Sequence, residues 1–465
     1  MIKKIIWVFL EKGASTIIQF VSLIILGRLL SPNDYGTYGI MMVFITLSDT
    51  LVDSGFGGAL VNKKNINQQD INTLFVTNAI ISLILYVFIF ISAPYIERFY
   101  QIENLSVYFR TIGLVVIIYA MSIVQNALIL RELKFKLSAI INVVSSIIST
   151  LVAILLAYYG LGVWALIAQI LLQSTISTTI LWLLNSVKIR FSFSKQSFSF
   201  FWNFGSNLLG ANILQTIANN ISNSVIPKIG SLQDSGLYFQ ANKLTNVPVN
   251  ILALSIDKGF FPILSQTSDI KIIAQKARQL CRIIVTITAP IFPLMSICSL
   301  SIIKLVVGDQ WLGSSVFFSI LLWGVFPLVW QSICRNIIKS TGETGYILKI
   351  EIFKSVIMLL IVLLSLFFGV IFLTVGFTVA AYIGAIIWSI CLKSKINIDF
   401  ISQLEDIKKP LVATMISYVL MSIVFNSSNS MFALLSLPIG YIIYITVNVI
   451  LKNQVIYDCY KWIKQ

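Results

Sequence analysis

The sequence predicts an all-α polytopic membrane protein of about 14 transmembrane helices, built as two parallel six-helix lobes plus two C-terminal helices. Three observations predict it. Hydrophobic residues make up 57% of the 465-residue chain and charged residues 11%, against roughly a quarter charged in soluble domains. Apolar stretches of the ~20 residues needed to cross a ~30 Å hydrocarbon core recur from end to end. A loop is also written twice: SPNDYGTY at 31–38 returns as SLQDSGLY at 231–238, with Ser, Asp, Gly and Tyr in the same four places.

The chain opens with MIKKIIWVFLEKG, where Glu11 and Lys12 break the apolar run after six residues. No small-residue cleavage site precedes the next apolar run, so the first span is expected to act as an uncleaved targeting signal. Six spans follow at about 13–30, 38–60, 74–96, 111–130, 138–158 and 161–184, then the basic linker NSVKIRFSFSKQS. Six more run at about 202–226, 235–257, 281–303, 314–338, 346–368 and 370–391. After the charged linker KSKINIDFISQLEDIKK come the last two, at about 410–426 and 431–451. The expected division is therefore an N-terminal lobe over 1–190, a second lobe over 191–391, and 392–465 as a linker with two additional helices. Segments such as IISLILYVFIFISA do not alternate, which excludes a transmembrane β-barrel.

Charge orients the spans. With the N-terminus inside, 27 of the 33 Lys and Arg fall in inner segments and five in outer ones (Arg28, Arg98, Arg110, Lys228, Lys304). Lys243 is left inside a span. This bias places both termini in the cytoplasm. It also accounts for the net charge of +15 as a topology signal facing anionic lipid, with no role for nucleic acid. The two loops then both lie outside, separated by an even number of spans, so the copies are parallel repeats. Their surroundings also match: Arg28 and Lys228 each stand three before the Ser, and GFGGAL at 55–60 is answered by GFFPIL at 259–264.

Polar side chains at membrane depth are costly and need a partner, a watery cavity or a function. Four spans carry polar stripes, at 100° per residue. Glu11, Ser15, Gln19 and Ser22 lie within about 80° on the first; Thr46, Asp49 and Asp53 within about 60° on the second. Asn212, Gln215, Asn219 and Asn223 mark the seventh span; Asn242, Lys243, Asn246, Asn250 and Asp257 cover about 100° of the eighth. These helices are expected to face a central cavity, against the alternative that the amides only join helices by hydrogen bonds. Lys243, ~14 Å below the outer end of its span, is either a point charge for a phosphate or the buried partner of Asp49 or Asp53. Arg28 and Arg335 sit near span ends and are weaker phosphate candidates beside snorkelling anchors. Asp257 reads as one half of an interface pair with Lys258.

Other chemistries are not encoded. There is no histidine, and the five cysteines (Cys281, Cys298, Cys334, Cys391, Cys459) have no CxxC spacing, so they read as reduced and structural, with no metal site. No Walker A pattern is present, and no outer loop is long enough for a catalytic domain; neither an enzyme nor a cofactor is expected.

The spans, in a six–six–two pattern with parallel repeats, resemble the MATE-like fold of the MOP superfamily. LGRLLSPNDYGTYGIM, DSGFGGALVNKKN, RELKF after the fourth span and GLGVWAL at 160–166 resemble its polysaccharide-export branch, the Wzx-type O-antigen and colanic-acid exporters. The resemblance implies a flippase that moves an undecaprenyl-diphosphate-linked oligosaccharide across the bacterial cytoplasmic membrane by alternating access. It makes a polysaccharide polymerase and a chain-length regulator candidate partners, besides membrane lipid. An ion gradient would couple transport through Glu11, Asp49, Asp53 or Asp257, with Lys243, Arg28, Arg335, Gln19, Asn212, Gln215, Asn219, Asn246 and Asn250 as cavity candidates for substrate. The competing readings are a multidrug or cation antiporter of the same superfamily and, further off, a polytopic polysaccharide polymerase or glycosyltransferase.

Cysteine labelling in intact cells is expected to place residues near Lys63, Lys195 and Lys408 inside and residues near Asn33 and Gln233 outside. Labelling at Gln233 from the cytoplasm alone would defeat the parallel-repeat reading.

Overall fold

In the computed structural model every regular element is helical among the described residues, which are 2–53, 55–63, 65–184, 189–264, 269–341, 344–425 and 431–456. Twelve helical stretches among them are long and apolar enough to cross a membrane. The chain is thus a multi-pass membrane protein. The remaining two of the fourteen expected spans fall on helices of 35 and 33 residues, long enough to cross but rich in Asn, Gln and Ser, so apolarity alone does not support the count of fourteen.

The chain divides into two compact units, residues 1–236 and 237–465. The first holds α1 (Ile2–Leu29), α2 (Pro32–Asp53), α3 (Phe56–Asn62), α4 (Gln68–Tyr100), α5 (Leu105–Ile112), α6 (Leu114–Arg131), α7 (Phe135–Tyr158), α8 (Val163–Leu184) and α9 (Lys195–Ile229). It ends with the first turn of α10 (Leu232–Leu264). Here α1 packs on α7, α7 on α8, α4 on α6, and α9 along α2. The short α3 seats Phe56, Ala59 and Leu60 against Val124 and Leu128 of α6 and Phe201 of α9.

Local signals explain how this unit is tied off. Asn67 and Asp70 form a reciprocal capping box at the start of α4, and the buried Asp70 also holds Lys63 at 2.6 Å. Arg131 donates to the carbonyls of Leu60, Val61 and Lys63, satisfying the end of α3. The basic linker is docked rather than loose over 190–194. Asn72 accepts from the Arg190 amide at 3.0 Å and donates to Ser192 at 2.8 Å, and Thr73 accepts from the Ser194 amide at 2.9 Å.

The second unit contains the rest of α10, then α11 (Ile270–Thr288), α12 (Ile291–Ile297), α13 (Ser299–Val306), α14 (Ser314–Ser340), α15 (Thr344–Ser365), α16 (Val370–Ile396), α17 (Phe400–Phe425) and α18 (Ser436–Ile450). The last two helices are built into it. Asp406 of α17 accepts from Arg278 and Arg282 of α11 at 2.5–2.9 Å, and Tyr444 of α18 donates to the Thr286 carbonyl at 2.7 Å.

The duplicated loop has the same geometry in both copies. The Ser31 amide and hydroxyl donate to Asp34 Oδ2 at 2.9 and 2.7 Å, and the Asp34 amide donates back to Ser31 Oγ at 3.3 Å. Ser231 and Asp234 repeat this at 2.9, 2.7 and 3.0 Å. The shared glycines touch. A Cβ on Gly236 would lie 1.8 Å from the Pro32 carbonyl oxygen, and one on Gly36 would lie 2.3 Å from that of Leu232. Only glycine permits so close a backbone approach. Gly162, at φ +53° in GLGVWAL, packs beside Asp34 in the same way, with a Cβ meeting Oδ1 at 2.9 Å.

Gly236→Val is expected to destabilise the protein by about 1–3 kcal/mol or more through overpacking against backbone. Gly58→Ala, whose Cβ meets no described atom within 4 Å, serves as the control. The midpoint of thermal unfolding in detergent reads both; equal midpoints would remove the glycine contact as a constraint.

Candidate functional site

The polar stripes of α2 and α9 meet inside the first unit. Between them and α6 lies a cavity of about 290 Å³, lined by Asp49, Thr50 and Asp53 of α2, Tyr119 of α6, and Asn212, Gln215, Thr216 and Asn219 of α9. The Thr50 and Thr216 hydroxyls lie 3.1 Å apart and join the two walls. Thr50 also donates to the Thr46 carbonyl at 2.7 Å, which leaves its oxygen as the acceptor across the gap. Asn212 and Asn219 are exposed, while Gln215 is half-buried.

The two carboxylates are held differently. Asp53 accepts from the Gly57 amide, and a Cβ at Gly57 would lie 3.1 Å from its Oδ1. With Gly55 at φ +72°, this explains the DSGFGGAL motif as a tight turn that wraps the end of α2. Asp49 has one oxygen, Oδ1, that is buried and without a hydrogen-bond partner among the described residues. A buried acceptor left so is an open valence for water or a ligand.

Five of the sequence candidates (Asp49, Asp53, Asn212, Gln215 and Asn219) are thus brought together. The others lie elsewhere. Gln19 is exposed on α1, and its neighbour Ser22 is buried, accepting from Gln169 at 2.7 Å. Arg28 is exposed at the end of α1. Lys243, Asn246 and Asn250 belong to the second unit; Lys243 stands 5.4 Å from the Phe239 ring centroid, and Asn246 donates to Asn242 at 3.2 Å. Arg335 lies 3.9 Å from Glu351, which holds Lys354 at 2.5 Å, so it has a local counter-charge. The side chains of Glu11 and Asp257 lie outside the described residues, as does Cys459.

Three lining residues were missed. Thr50 and Thr216 adjoin the marked stripes but read as ordinary span hydroxyls. Tyr119 sits in the apolar run VVIIYAMSIV, where only its phenol hints at a polar neighbour. The charged lining of this cavity is acidic, with Asp49 and Asp53 opposite the amides. Periodicity assigned each charge to a helix face without showing which faces meet.

The pattern of the family described as "polysaccharide biosynthesis protein" matches residues 25–316. The succinoglycan biosynthesis transport protein ExoT of Rhizobium meliloti (strain 1021) is 24% identical over 260 residues, covering 56% of this chain and 53% of ExoT. The chain is therefore matched to only about half of that relative's length. The lipopolysaccharide biosynthesis protein WzxC of Escherichia coli (strain K12) is 22% identical over 375 residues, 79% of this chain and 75% of WzxC. Among solved structures, the lipid II flippase MurJ in an inward closed conformation superposes with a TM-score of 0.79 at 14% identity, over 97% of this chain and 100% of that one. An inward-facing multidrug resistance MATE family transporter of the MOP superfamily gives 0.61 at 16% identity, over 82% and 94%. At such identities the structural likeness bears on the fold alone. The family match spans well over half of the sequence: the chain belongs to the polysaccharide biosynthesis protein family and has the fold of the MOP-superfamily transporters.

Proposed function

We propose that the protein is a flippase that carries an undecaprenyl-diphosphate-linked oligosaccharide repeat unit across the bacterial cytoplasmic membrane by alternating access, for assembly of a surface polysaccharide. The observation that carries this reading is the cavity of about 290 Å³ walled by amides, hydroxyls and carboxylates within a bundle of apolar helices. Sugar hydroxyls both donate and accept, and Asn, Gln and Thr do the same, so such a wall can exchange water for glycan with little loss of hydrogen bonding. Family membership and the transporter fold support a carrier rather than a catalyst. Both termini are placed in the cytoplasm by the 27-to-5 charge bias.

A second reading draws on the acidic lining: Asp49 and Asp53 suit an organic cation, as a multidrug antiporter would require. Susceptibility to cationic dyes in an efflux-deficient host separates the two. A flippase leaves susceptibility unchanged.

Asn212→Leu combined with Asn219→Leu should leave membrane insertion intact, because both changes make α9 more apolar. Export in a flippase-null strain should nevertheless fall at least tenfold. Full complementation would return these amides to a role in helix packing.

Lys243 is proposed to face the diphosphate when substrate is bound. Lys243→Ala should lower export strongly at normal protein level, since truncating a buried charge partner costs about 2–5 kcal/mol. Lys243→Arg should keep part of the activity, because the charge survives while its shape and hydration change. Export by the Ala variant at the wild-type rate would remove the lysine from substrate binding.

A further inference from the structure

We propose that the cavity of the first unit is a glycan subsite whose two carboxylates select neutral or amine-bearing sugars and disfavour acidic ones. This inference rests on the flippase reading and names the class of headgroup that reading leaves open.

The volume argues first. At about 290 Å³ the cavity has room for several waters. A stripped metal cation needs oxygens converging at about 2.0–2.6 Å, a far smaller space. The cavity is therefore sized for a polyhydroxylated group rather than for a bare ion.

The lining argues second. Asp49 and Asp53 lie one helical turn apart on α2, opposite Asn212, Gln215 and Asn219 of α9. A carboxyl group presents two oxygens that accept bonds from neighbouring hydroxyls, whereas an amide offers donors and acceptors together. The wall thus pairs an acceptor face with a mixed face, which fits a sugar ring whose hydroxyls donate to one side and accept from the other.

Charge argues third. The described residues that line the cavity include no Lys or Arg. A uronic acid or other anionic sugar would face two carboxylates at short range with no cation on the wall, and like charges so placed reject a partner. An amino sugar would form charge-assisted hydrogen bonds with the same two groups.

The test uses the full-length protein in proteoliposomes with three polyprenyl-diphosphate-linked disaccharides that differ in one sugar: glucose, glucosamine with a free amine, or glucuronic acid. Wild type should move the glucose and glucosamine probes at least tenfold faster than the glucuronic acid probe. Asp49→Asn with Asp53→Asn should raise the ratio of acidic to neutral rate at least tenfold, even as the neutral rate itself falls. Asn219→Asp should lower that ratio further, with protein per vesicle measured so that poor insertion is not mistaken for selectivity. Equal rates for the three probes in wild type overturn the proposal while leaving the flippase reading standing. The same proportional loss of all three in the double Asn variant also overturns it, assigning the carboxylates to ion coupling. If no probe moves, the flippase reading fails and the selectivity with it.

Discussion

In the first unit two glycines meet backbone so closely that no side chain fits, Gly236 against the Pro32 carbonyl and Gly36 against that of Leu232. This contact pins the start of α2 to the first turn of α10, just after α9. From there α2 runs away from the contact along the chain, and α9 runs away from it when followed backwards. Thr50 is 14 residues beyond Gly36 and Thr216 is 13 before Ile229, about 21 and 20 Å at 1.5 Å per residue. The two therefore reach the same depth, where their hydroxyls lie 3.1 Å apart. The repeated loop thus sets the register in which the polar stripes of α2 and α9 face one another, and the cavity follows from that register. Its four shared letters have separate reasons: Ser and Asp satisfy the helix start, Gly admits the neighbouring backbone, and Tyr38 and Tyr238 are buried rings.

Helix class, approximate span positions and the polar faces of α2 and α9 were legible in the sequence because a 3.6-residue period marks a face without any tertiary information. Asp49, Asp53, Asn212, Gln215 and Asn219 were found that way. Which faces meet was not legible. Periodicity marks each polar face, but nothing in it says that α2 packs along α9 within the first unit. Thr50 and Thr216 escaped notice because a span hydroxyl is ordinarily satisfied by its own helix, as Thr50 is by the Thr46 carbonyl. Their contact across helices depends on register, which the glycines set at a distance. The docked linker escaped for a related reason. A basic, Ser-rich run reads as a solvated connector, and only the fold brings Asn72 and Thr73 under its amides.

Whether a membrane-depth amide is glue or lining depends on what else can satisfy it. Asn246 spends a donor on Asn242 one turn back, and Asn220 on the Thr216 carbonyl. Gln169 bridges Ser22 and Thr150 between three helices. The bonds of Asn246 and Asn220 close within one helix, and those of Gln169 across a packed interface. Asn212 and Asn219 differ in standing on a wall whose opposite face is carboxylate and hydroxyl. Their amides have up to four bonds each to make, and apolar neighbours supply none. Such a wall is stable in a bilayer only while water or a polar ligand fills the space it encloses. The same requirement that makes the other amides pack helices together makes this wall one that water or a polar ligand has to reach.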